Sequence, residues 1–189
     1  SIEDGLDAIE YAMQQHPWAE ARPLMIHAQM TREDQIARMA ELGVTPSFFS
    51  AHTYYWGDRH AAIFMGPERA ANMSPARWAL EAGVRFSSHL DTPVTPMLPL
   101  QAVWSQVERK STGGAIIGPD QRIDRLSALR AVTIDAAWQV FMDDVMGSIE
   151  PGKYADLVVL SDNPLTAPDI RSLKVDRTII AGATVYKRL

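Results

Sequence analysis

The chain of 189 residues contains no cysteine. Disulfides and thiolate ligands are therefore excluded, and any metal site must use His, Asp, Glu or a modified Lys. There is also no excess of positive charge. Lys and Arg number 18 against 23 Asp and Glu, and the net charge is −5. That balance argues against nucleic acid as a main partner, because phosphate binding needs a basic patch. No apolar run reaches the ~18 residues that a membrane span requires. The opening Ser1-Ile2-Glu3-Asp4 is acidic, so no signal peptide is expected. A cysteine-free chain of this kind is expected in the cytoplasm. Internal repeats and low-complexity tracts are absent too. What remains is 47% apolar and 22% charged residues, enough to build a real core.

The first half alternates helix and strand. Ile2, Leu6, Ile9 and Met13 recur at helical spacing over residues 1–15. Arg22 to His27 reads as a short apolar strand ending in His. Thr31, with Asp34 three residues on, reads as a helix N-cap, and that helix stops at Gly43. Val44 to Ser50 is a second strand, followed by an aromatic loop, Tyr54-Tyr55-Trp56-Gly57-Asp58. Ser74-Pro75 opens another helix, which ends at Gly83, and Val84 to Ser88 is a third strand. This order predicts a parallel sheet built by crossovers.

After Asp91 the pattern changes. Thr92 to Pro99 holds three prolines and reads as a fixed loop. Helices are predicted over Leu100–Lys110 and Asp124–Met142, with a Gly-rich loop between them. Glu150-Pro151-Gly152-Lys153 is a turn running into the strand Leu157–Leu160. Strands at Val175–Ile180 and Thr184–Lys187 follow, joined by Ala181-Gly182.

The chemistry-bearing residues fall in one place on this map. His27 closes the first strand, His52 lies two residues past the second, and His89 and Asp91 close the third. In a β/α barrel the carboxyl ends of the strands form the active-site mouth. Each residue also has a plainer reading. A single His at a strand end is usually a hydrogen-bonded structural residue, and Asp91 before Thr92-Pro93 is a turn former. Trp56-Gly57-Asp58 also reads as loop packing, and His60 as either substrate loop or solvent face.

Four segments resemble the amidohydrolase superfamily, in its branch of D-aminoacylases and N-acyl and formamide hydrolases. Met25-Ile26-His27-Ala28-Gln29 resembles the strand-six motif, with Ile26 where Glu is common. Ser50-Ala51-His52 through Trp56-Gly57-Asp58 resembles the strand-seven loop. His89-Leu90-Asp91-Thr92-Pro93-Val94 resembles the strand-eight motif, with Leu90 for Ser. Gly147 to Leu160 resembles the carboxy-terminal signature. The resemblance implies an α/β fold: residues 1–146 as about three βα units of a TIM-type barrel, its carboxy-terminal portion, and 147–189 as strands of a small β-sandwich.

It further implies a divalent metal, most often zinc, with His27 as ligand and Asp91 metal-associated. Asp91 would be the catalytic proton shuttle, passing a proton from the attacking water to the leaving nitrogen. His52 would stabilise the oxyanion, His89 would orient Asp91 or line the pocket, and Trp56 and Asp58 would contact a small-molecule amide substrate. The family's His-x-His pair, strand-four Lys or acidic residue and strand-five His have no counterpart here. The expectation is therefore a fragment that needs the amino-terminal part of the same protein as complement, or a homo-oligomer. The competing reading is a non-catalytic α/β binding or assembly module that lacks most metal ligands.

Overall fold

A computed structural model describes residues 1–189. Helix α1 spans Ile2–Gln15, and Ser1 caps it: its hydroxyl accepts from Asp4 N–H while the Asp4 carboxylate reaches back. Strand β1 is Leu24–His27, α2 is Glu33–Leu42 and β2 is Thr45–Phe48. Helix α3, Ala51–Arg59, continues as a π-helical turn over His60–Phe64. Short helices α4 (Pro67–Ala71) and α5 (Ala76–Glu81) lead to β3, Ser87–Ser88. Then come α6 (Pro99–Glu108), α7 (Arg125–Arg130) and α8 (Ile134–Gln139), followed by β4 (Leu157–Leu160), β5 (Val175–Ile180) and β6 (Ala183–Lys187). No helix is long and apolar enough to cross a membrane.

The strands form two sheets. β1, β2 and β3 are parallel in that order, and β4, β5 and β6 are antiparallel in theirs. The main core lies behind the parallel sheet. Phe48 of β2 and Leu6, Ile36, Met39, Val103 and Trp104 of the helices are buried there together. Fully burying such side chains contributes roughly 1.5–3 kcal/mol each. One close approach depends on glycine: at Gly118 a Cβ would stand 1.7 Å from the carbonyl oxygen of Ala71, at a φ of +62°.

Several sequence expectations are corrected. Thr31 is not the N-cap of α2. Its hydroxyl donates to Ala28 O at 2.7 Å, and Gln35 Oε1 accepts the Arg32 N–H instead. Pro75 rather than Ser74 flanks α5, and Ser74 sits at a φ of 49°. The aromatic segment 54–58 is helix, not loop. The single helix expected over 124–142 is two helices, broken where Thr133 leaves helical geometry and donates to Leu129 O at 2.8 Å. The third strand shrinks to two residues.

Candidate functional site at the strand ends

Two consecutive residues with positive φ close β1 and follow it, His27 at 65° and Ala28 at 42°. This backbone disfavours L side chains. Asp91, past the end of β3, has a φ of 53°. The two turns bring His27 Nε2 to 4.0 Å from Asp91 Oδ2, with both side chains 43% exposed. His89 packs edge-on to His27, ring centres 4.9 Å apart, and His52 stacks at 6.4 Å. Phe49, fully buried, floors the group at 4.0 Å from His52 and 5.3 Å from His89. Thus His27, His52, His89 and Asp91 share one end of the parallel sheet. Trp56 joins them one helical turn after His52, at 5.0 Å.

Asp58 does not join this cluster. Its carboxylate accepts from Ser111 Oγ at 2.7 Å and Gly113 N–H at 3.0 Å, holding the loop after α6. His60 turns inward, with Nε2 3.3 Å from the amide nitrogen of Gln29.

Burial is the main force on the imidazoles. It pushes His52 down to about 4, helped by the neighbouring His60, His27 and His89 and opposed by Asp91. Burial likewise lowers His60, and lowers His89 together with His27. These rings are neutral at neutral pH, so they can ligate or hydrogen-bond but supply no positive charge. Ser47 Oγ, which accepts from Ser87, lies 2.9 Å from His89 Nδ1.

The donor types suit a divalent metal, but the set is short. No three His, Asp or Glu side chains of this chain are arranged so that they could hold a metal ion together, and a closed zinc site takes three or four ligands. His27 and Asp91 are the pair that fits. Sequence reading passed over three residues of the site. Phe49 and Ser47 carry no chemical signature, and Gln29, though inside the His27 motif, gained a role only when the fold brought His52 and His60 to it.

A parallel sheet with imidazoles and a carboxylate gathered at its carboxyl edge defines an α/β protein with a strand-end site. Residues 1–186 match the model of the amidohydrolase family, and the chain belongs to that family. It is 32% identical over 190 residues to an N-substituted formamide deformylase of Arthrobacter pascens, a match covering 100% of this chain and 35% of that protein. The chain therefore spans about a third of that curated relative's length. An amidohydrolase from Thermotoga maritima MSB8 shares the fold with a TM-score of 0.69 and 22% identity, covering 98% of this chain and 41% of that one. An uncharacterized metal-dependent hydrolase from Pyrococcus horikoshii OT3 superimposes with a TM-score of 0.72 and 22% identity, over 87% of this chain and 32% of that one.

Proposed function

We propose that this chain carries part of the active site of a metal-dependent amidohydrolase that cleaves a non-peptide C–N bond in a small N-acyl or N-formyl amide. The approach of His27 to Asp91, 4.0 Å apart across the carboxyl ends of β1 and β3, carries this reading. The likeness to a formamide deformylase supports the N-formyl substrate. In this reading residues 1–146 are the last three βα units of a TIM-type barrel, and 147–189 are strands of a β-sandwich that other strands complete.

His27 and Asp91 would hold the metal, zinc in the first instance, and a bound ion supplies Lewis-acid activation of water and carbonyl. Asp91 is the proton shuttle. It takes a proton from the attacking water and delivers it to the leaving nitrogen. A C–O bond forms, the C–N bond breaks, and the products are a carboxylic acid and an amine. His89, His52 and Trp56 line the substrate side. Asp58 contributes by fixing the loop that closes over α3.

The remaining ligands would come from an amino-terminal segment of the same protein. The test is metal analysis and N-formyl amide hydrolysis with that segment supplied. Stoichiometric zinc and turnover are expected. A complex that gains neither would favour the alternative, a non-catalytic assembly module, which the lack of a three-donor group in this chain supports.

A further inference from the structure

Gln29 lies two residues past β1, and the hydrogen bonds of its side chain stay inside the chain. Its backbone carbonyl accepts from Ser74 N–H at 2.7 Å. Its amide nitrogen lies 3.5 Å from the sulfur of Met73 and 3.3 Å from His60 Nε2, and its amide oxygen lies 2.7 Å from His52 Nδ1. A thioether accepts hydrogen bonds and never donates, so the end of the amide at Met73 is the NH2 group. The end at His52 is then the oxygen, which only accepts. Nδ1 of His52 must carry the hydrogen, and in a neutral imidazole that leaves Nε2 bare.

The scaffold behind this arrangement is fixed. Arg109, 2% exposed and without a carboxylate partner, donates to the carbonyls of Ala71, Met73, Ser74 and Ile117. It thereby pins the segment that holds the backbone and amide of Gln29.

We infer that His52 presents Nε2 to the strand-end site as a hydrogen-bond acceptor, that Gln29 is the positioning residue enforcing this tautomer, and that the site selects amides bearing an N–H, N-monosubstituted over N,N-disubstituted. This deepens the amide-hydrolase reading and rests on it. The oxyanion role expected for His52 from the family resemblance is set aside, because a bare nitrogen repels an oxyanion. The substrate N–H donates to Nε2 instead, which leaves the other face of the nitrogen free for the proton from Asp91. His52 stands 6.4 Å from His27, ring to ring, and a small amide seated beside His27 and Asp91 spans that gap.

The test is imidazole nitrogen NMR on the full chain. Wild type is expected to show a protonated Nδ1 and a bare Nε2 at His52. Gln29→Glu, still an acceptor, keeps that tautomer, and Gln29→Leu loses it. N-methylformamide should shift Nε2 of His52, and N,N-dimethylformamide, lacking the N–H, should not. If Gln29→Leu fails to fold, the two-ligand comparison on wild type decides alone. A protonated Nε2 overturns the inference, as does an equal response, or none, to the two formamides. Hydrolysis is scored separately with the complementing segment present. Its absence beside the expected spectra would sink the hydrolase reading and leave the tautomer and the N–H preference as binding properties alone.

Discussion

His27 and Asp91 both hold left-handed backbone conformations at the ends of strands. Such conformations cost of order 1–3 kcal/mol each for non-glycine residues, so the surrounding fold over-determines them. Asp91→Asn keeps the shape and removes the basic oxygen. In the complemented enzyme it should lower kcat by roughly 10²–10⁴-fold, the range of general acid–base catalysis. Steady-state kinetics checks this, and unchanged turnover would mean that another group moves the proton.

His52 sets a second residue-scale expectation. Burial holds its folded pKa at about 4 against an ordinary 6.5. As pH falls, the unfolded chain therefore takes up the proton first. The stability linked to a neutral His52 is complete above pH 6.5 and is lost as pH drops toward 4, and His60 and His89 act in the same direction. The urea midpoint should be lower at about pH 5 than at about pH 7.5, and His52→Gln should flatten the difference. A midpoint indifferent to pH in both proteins would show that these rings are not buried neutral.

At the scale of elements, α3 is where sequence and structure part most clearly. Residues 54–58 carry three aromatics and a glycine, a poor intrinsic helix. Tertiary packing decides otherwise: Thr53 and Gly57 are buried, and a Cβ at Gly57 would meet Ile117 at 2.8 Å. Helix formation turns Asp58 away from the imidazoles and onto Ser111 and Gly113. Asp58→Ala should then cost about 1–3 kcal/mol of stability, chiefly by removing the charged acceptor of the buried Ser111 hydroxyl, read as a fall in denaturation midpoint. A full-stability variant with a raised KM would restore Asp58 to the substrate.

The same element scale explains what was legible beforehand. α1, α2 to Gly43 and the parallel order of β1 to β3 follow from periodicity, capping and turn residues, which act locally. The convergence of His27, His52, His89 and Asp91 was also legible, because parallel strands put their ends on one edge. The break at Thr133 and the partners of Gln29 were not. They depend on contacts between segments far apart in sequence, and no local signal encodes those.

At the scale of the whole molecule, apolar surface is left where neighbours would normally sit. β1 pairs only with β2, and its Leu24 and Ile26 are 36% and 55% exposed. Every residue of β6 is exposed, Val185 and Tyr186 at 58% and 49%. A free apolar strand edge is a template for pairing with another chain, and the ligand set at its carboxyl end is short by one or two donors. Both shortfalls meet at β1, so a segment whose strand pairs with β1 and brings the further His expected on strand five would remedy the edge and add a donor. Size-exclusion chromatography of the 189-residue chain should therefore show self-association and weak zinc binding. Adding the amino-terminal segment should convert it to a discrete complex that retains zinc through gel filtration. A well-behaved monomer that binds zinc tightly by itself would show that strand edge and metal site are independent, and the coupling proposed between them would be wrong.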